Sequence, residues 1–235
     1  MSGVLDAVRR ANQRGGRMLS VLDLVDAHTL TAAQAAWLLA RIEGGSSWLV
    51  GASPGGAGKT TIMGALLAML PERSEVHVAC EVGWGNARPG ECVVAYEISP
   101  GDYDGYVWGP ELRELAGLGE RGCRLVSNLH ADTLEQARDQ LEHRNGLSPE
   151  ALDRFRIFLP IRLDTGARGI RRTVPAMWHH CDTGWVKLEE PRLAGTETAI
   201  LSWIERELEK EARTIEEVRS AWLVFRRDGS AAASG

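Results

Sequence analysis

Cysteine is scarce. Four residues in 235 (Cys80, Cys92, Cys123, Cys181) lie far apart and form no C-x-x-C pair, which excludes a disulfide-stapled secreted scaffold. The first three sit in apolar runs and read as reduced core thiols of a cytoplasmic protein. Long apolar runs are missing too: no uncharged stretch approaches the ~20 residues of a membrane span, so no transmembrane segment is expected. The first residues, Met1-Ser2-Gly3-Val4-Leu5-Asp6, lack a signal-peptide pattern, which also points to the cytoplasm. Excess positive charge is absent: 27 Lys+Arg stand against 32 Asp+Glu, for a net charge of −5. That balance gives no electrostatic footprint for nucleic acid, and no nucleic-acid partner is expected. No internal repeat is found. What remains, 44% hydrophobic and 25% charged residues, is the composition of a folded globular chain of a size for one domain.

Short apolar runs alternate with helical patterns. Thr31 and Gln34 have capping-box spacing ahead of an Ala/Trp/Leu-rich helix that stops at Gly44-Gly45. Trp48-Leu49-Val50 reads as a buried strand, and Thr60 to Leu70, apolar nearly all round, as a buried helix. Val76–Cys80, Cys92–Tyr96 and Cys123–Leu129 are continuous apolar runs, as suits central parallel strands covered on both faces. A helix is expected over Pro110–Glu120 and another capped by Asp132 and Glu135. A strand-like region runs from Phe155 to Leu188. Two helices close the chain, the second with capping-box spacing at Thr214 and Glu217. The organisation predicted is a helical segment 1–45, a nucleotide-binding core 46–190, C-terminal helices 191–228 and a disordered tail 229–235. The fold class is α/β, a mostly parallel central sheet with helices on both faces.

The strongest motif is Ser53-Pro54-Gly55-Gly56-Ala57-Gly58-Lys59-Thr60. It fits the phosphate loop G-x-x-x-x-G-K-[ST], with Ser53 in place of the first glycine. Its backbone N–H groups, with those of the following helix start at Thr61, suit phosphate oxygens. Lys59 suits the β/γ-phosphates, and the Thr60 hydroxyl suits Mg²⁺. A strand before and a helix after supply the required context. Such a site needs a carboxylate at a neighbouring strand end. Glu81, after Val76–Cys80, and Glu97, after Cys92–Tyr96, both qualify, with Glu97 reaching the metal through water. His130, just past Cys123–Leu129, lies at the same sheet edge and suits a γ-phosphate contact.

These residues, in this order, resemble the secretion and type IV pilus motor ATPases, the type II/IV secretion family of RecA-like P-loop proteins. His77-Val78-Ala79-Cys80-Glu81 is similar to that family's Asp box, with Val82 where Asp is usual. Ala95-Tyr96-Glu97-Ile98 is similar to its Walker B strand, with Ser99 where Arg is usual. Leu129-His130 resembles its His box. Asp23 to Thr31 resembles the approach to the phosphate loop, Arg168 to Trp178 a later strand, and Thr214 to Val218 the final helix. The resemblance implies a RecA-like fold, Mg-ATP binding and hydrolysis, a hexamer, and secretion or pilus machinery as partner. It makes Glu81 the general base, Glu97 the Walker B carboxylate and His130 the link between nucleotide state and subunit contact. Two departures are seen: the segment between Glu81 and Glu97 is short and lacks the arginine-rich helix, and most of the family's N-terminal domain has no counterpart. Two other readings stay open, a P-loop kinase for a small acceptor and a nucleotide-gated interaction protein with little turnover.

Weaker signals have plainer readings. His179-His180-Cys181-Asp182 holds metal-ligand types, but neighbours on a strand point to opposite faces. Trp84 and Trp108 read as loop anchors, Asp102 and Asp104 as a solvated loop after Glu97. Arg168, Arg171 and Arg172 read as a solvated strand face, with a phosphate contact to a neighbouring subunit or the kinase's arginine lid as the alternatives.

Overall fold

Each continuous apolar run becomes a strand of one sheet, because a strand covered on both faces has no polar side to show. In the computed structural model, residues 3–12, 15–166, 169–210 and 213–232 are described, the side chains of 230–232 excepted. Three helices come first, α1 (Val4–Ala11), α2 (Val21–Asp26) and α3 (Ala32–Glu43). The Thr31/Gln34 capping box opens α3 as expected, and a second box, Ser20/Asp23, opens α2. Strand β1 (Trp48–Gly51) then leads through the glycine loop into α4 (Lys59–Leu67). After these come β2 (Val76–Val78), a 3-10 turn at Trp84–Asn86, β3 (Cys92–Ile98) and β4 (Tyr106–Val107). Helix α5 (Pro110–Glu120), β5 (Arg124–Leu129), α6 (Leu134–Glu142) and α7 (Pro149–Asp153) follow. The remainder is β6 (Ile157–Pro160), β7 (Arg162–Gly166), β8 (Gly169–Thr173), β9 (Met177–Cys181), β10 (Gly184–Leu188), α8 (Thr196–Leu208) and α9 (Ile215–Ala232).

The sheet order is β10-β9-β6-β1-β5-β3-β2, with β4 also paired to β3. The pairs from β6 across to β2 and β4 are parallel, while β9 and β10 add an antiparallel edge. Alternate side chains of the central strands enter two apolar clusters. Trp48, Val50, Val94 and Val126 join α3, α4, α8 and α9 on one face; Leu49, Val93, Leu125 and Phe158 join α5 and α6 on the other. This is the mixed α/β sheet with helices on both sides. The β7–β8 hairpin stands apart as its own two-stranded sheet.

Four expectations change. Strand β2 ends at Val78, so Cys80 is exposed rather than a core thiol, whereas Cys92 and Cys123 are buried. Burial pushes the Cys92 thiol up to about 12, which keeps it protonated and inert. Thr133, not Asp132, caps α6, its side chain accepting from the Gln136 N–H. Helix α9 continues through Ala232, where the sequence predicts a tail from 229; 233–235 lie outside the described residues. Its apolar stripe anchors the helix at its middle: Trp222 packs at tilted angles against Trp203 and Phe225 and donates from Nε1 to the Met69 carbonyl at 2.9 Å.

Candidate functional site

Parallel strands bring their C-terminal ends to one edge, and ligands of open α/β sheets bind there. At that edge β1 delivers the glycine loop, β5 delivers His130 and β3, one strand further out, delivers Glu97. Gly51 ends β1 where a Cβ would stand 2.3 Å from the Ala131 carbonyl oxygen, so only glycine passes between β5 and β6. In the loop, Gly56 and Gly58 adopt φ +77° and +97°, left-handed values that glycine alone takes without strain. Gly58 then caps α4, and the first turn of that helix presents Lys59, Thr60 and Thr61. Residues Gly55 to Thr61, with Glu97 and His130, line one cleft of about 330 Å³. Apolar side chains of Val8, Ala11, Met18, Ala65 and Ile215 also line it, together with Asn12 and Arg17.

Glu97 reaches the cleft through an irregularity. In β3, Ala95 pairs with Ser127 and Ile98 with Leu129, so one extra residue is inserted at Tyr96-Glu97. A bulge re-aims side chains. Val93, Ala95 and Ile98 therefore share one apolar face, and Glu97 turns away from it toward Lys59. Both side chains are 8% exposed, and Lys59 Nζ lies 3.4 Å from Glu97 Oε1. Lys59 also donates to the Ala52 carbonyl at 3.0 Å. Glu97 Oε1 is buried and has no hydrogen-bond partner among the described residues. Burial raises the Glu97 carboxyl above its ordinary range, and the charges of Lys59 and His130 pull it part of the way back.

His130 is half exposed. Its Nδ1 lies 3.1 Å from the Ser53 carbonyl, which can only accept, so Nδ1 carries a proton. The other ring nitrogen, Nε2, stands 3.6 Å from Glu97 Oε1. Asp132 was read as a helix cap; instead its Oδ1 accepts from the Ser53 N–H at 2.8 Å and ties β5 to the loop. From the β7–β8 hairpin, Arg172 donates to the Gly56 carbonyl at 3.3 Å. Neither role is visible in local sequence. For Asp132 the available signal was its place two residues after His130, past a strand end.

Glu81 is not brought into this group. It sits in the turn after β2, accepts from the Val78 N–H at 3.2 Å and pairs with Arg10 of α1, and it does not line the cleft. The other ligand types are engaged elsewhere. His179 lies edge-on to Trp37, whereas His180 packs on Trp185 and faces Asp153 Oδ2 at 3.4 Å, so the two rings diverge. Glu75, His77 and Glu91 form a separate cluster whose ligand atoms lie within 4.8 Å of one another. There Glu91 is already spoken for: it takes the Arg88 N–H at 2.9 Å, Arg88 Nε at 2.6 Å and His77 Nε2 at 2.8 Å. Trp84 and Trp108 pack against the apolar cluster on the α5 side as anchors. Arg168 lies outside the described residues. Among the described residues no helix is long and apolar enough to cross a membrane.

No protein-family model and no curated protein matches the chain. Among solved structures it is similar to the VirB11 ATPase of the Brucella suis type IV secretion system, solved with sulphate, at 14% identity and TM-score 0.45. That likeness covers 72% of this chain and 59% of the other. It is similar also to the Legionella pneumophila ATPase DotB, at 11% identity and TM-score 0.45, over 81% of this chain and 58% of that one. The chain thus spans less than two thirds of the length of either structure.

Proposed function

We propose that this chain binds Mg-ATP on residues 53–61 and hydrolyses it. The observation that carries the reading is the buried Lys59–Glu97 pair at the mouth of a glycine loop that opens a helix. Burying two charges is costly, so such a pair in a cleft points to a functional role, and a site for phosphate and a divalent cation uses both signs. The residues fit the ligands. Gly58 holds the left-handed φ of +97° that lets the loop turn into the helix, Thr60 lines the cleft on the first helical turn, and Glu97 Oε1 is buried there without a hydrogen bond.

Loop N–H groups and the α4 N-terminus would hold the phosphates, and Lys59 would add its charge to the outer ones. The Thr60 hydroxyl, and Glu97 through water, would hold Mg²⁺, which would supply charge neutralisation for the phosphates. His130 and Glu97 would flank the terminal phosphate. In this reading His130 also links the nucleotide to a neighbouring copy in a hexamer, and secretion or pilus machinery is the partner class.

A second reading, an ATP-gated binding protein with little turnover, is favoured by one observation. Glu81, the general base by resemblance, is engaged by Arg10 outside the cleft. An ATPase assay with light scattering decides between them. Lys59→Ala should weaken ATP binding about tenfold to a hundredfold. Glu97→Gln should keep binding and lose phosphate release. Wild-type binding without phosphate release selects the second reading, and wild-type turnover by Glu97→Gln refutes the assignment of that strand. A particle mass that stays monomeric with Mg-ATP removes the hexamer.

A further inference from the structure

A phosphate-binding loop works only if its N–H groups point inward, which forces its carbonyls outward. Something on the outside must therefore hold those carbonyls in the ligand-free state, or the glycines, free to rotate, will turn them. Three outer contacts are present. Asp132 accepts from the Ser53 N–H, His130 Nδ1 donates to the Ser53 carbonyl, and Arg172 donates to the Gly56 carbonyl. The first two grip the entrance of the loop. Among the described residues only Arg172 grips its glycine-rich middle, where Gly56 has φ +77°.

Strand pairing explains how Arg172 gets there. Leu163 is its direct partner across the hairpin and packs against the apolar core, so the face carrying both is turned to the body of the protein. Arg171, on the opposite face, is exposed. The Arg172 stem runs over Gly58, where its Cδ would stand 3.3 Å from an added Cβ. Among the described residues no carboxylate pairs with Arg172, so nothing competes for the guanidinium.

We propose that Arg172 is a positioning residue: it clasps the Gly56 carbonyl from outside and so pre-sets the loop's N–H groups for phosphate. This rests on the reading of the loop as an ATP site. Such a clasp acts on the cradle as a whole, so its removal weakens ATP and ADP alike and leaves their ratio unchanged.

The test measures Mg-ATP and Mg-ADP affinities by titration calorimetry for the wild type, Lys59→Ala, Arg171→Ala, Arg172→Met and Arg172→Lys. Arg172→Met keeps the stem over Gly58 and loses the donor. It should weaken both nucleotides by about tenfold. Arg172→Lys keeps a donor and should recover most of that loss, and Arg171→Ala should bind as the wild type does. If the wild type binds neither nucleotide, the ATP reading falls and the clasp with it. If the wild type binds and Lys59→Ala binds more weakly, three results overturn the clasp alone. They are wild-type affinity in Arg172→Met, equal weakening in Arg172→Lys and Arg172→Met, and loss of ATP without loss of ADP, which would mark direct γ-phosphate contact.

Discussion

Replacing Lys59 by methionine should destabilise the protein in a pH-dependent way, because it strands Glu97. At the 3.4 Å separation, and with an effective dielectric of about 20, the pair attracts by about 5 kcal/mol. Removing one member of a buried pair costs about 3–5 kcal/mol if the other stays charged. The carboxyl has an escape, which is to take a proton. From an ordinary value of 4.5, protonation costs about 3 kcal/mol at pH 7 and under about 1 kcal/mol at pH 5. These figures cap the charge penalty. Loss of the Lys59–Ala52 bond adds about 1 kcal/mol at any pH. The direction follows from linkage. A carboxyl raised in the folded state holds a proton that the unfolded chain has released, so stability falls as pH rises through the window above 4.5. Without Lys59 the folded value rises further and the window widens. Lys59→Met should therefore cost about 1–2 kcal/mol at pH 5 and about 3–4 kcal/mol at pH 7, read from urea unfolding at both pH values. In a Glu97→Gln background the pH dependence of that cost should vanish. An equal cost at pH 5 and pH 7, or a slope that survives Glu97→Gln, refutes the argument.

Two further substitutions probe the frame around the site. Gly51→Ala puts a methyl 2.3 Å from the Ala131 carbonyl and 2.5 Å from the Phe158 ring; with backbone on one side it should lose about 3 kcal/mol or more, seen as a lower urea midpoint. Glu91 is held down to about 2, first by the Arg88 backbone N–H and then by the Arg88 and His77 side chains. A depressed carboxylate stabilises above its ordinary 4.5 and loses that stability as pH falls toward 2, so Glu91→Gln should flatten the acid limb of a pH–stability curve. After solvent screening the effect should be about 1–2 kcal/mol, and an unchanged acid limb would remove Glu91 from the account.

Local chemistry was legible where one segment decides the outcome. The capping pairs Thr31/Gln34 and Thr214/Glu217 open the helices they were read to open, and Pro110–Glu120 is a helix over that whole span. The continuous apolar runs are buried strands because nothing polar competes for their faces. The site was legible only in part. Lys59, Glu97 and His130 meet as their strand-end positions suggest, yet Glu97 lies inside β3 and turns to the cleft through a bulge that no local pattern announces. Glu81 fails to join because β2 stops three residues before it, and the turn hands its carboxylate to Arg10. Asp132 and Arg172 were misread for a shared reason. Their partners in the loop are 79 and 116 positions away in the chain, and only tertiary packing pairs them.

The one departure from the loop pattern has a structural explanation. Glycine is needed where φ is positive, and among the described residues only His28 and Arg156 adopt positive φ without being glycine. Ser53 is therefore not in that region, so its Cβ carries no backbone penalty, whereas Gly56 and Gly58 do require glycine. Its backbone is held by Asp132 on the N–H and His130 on the carbonyl, two contacts indifferent to the side chain. The pattern is broken at the position where neighbouring elements, not glycine's freedom, set the conformation. It is kept at Gly58, where φ is +97°, and Gly56 supplies a further glycine at a position the pattern leaves free. The demand of the motif is thus on backbone shape, and a chain that secures that shape by tertiary bonds can depart from the consensus without losing the cradle.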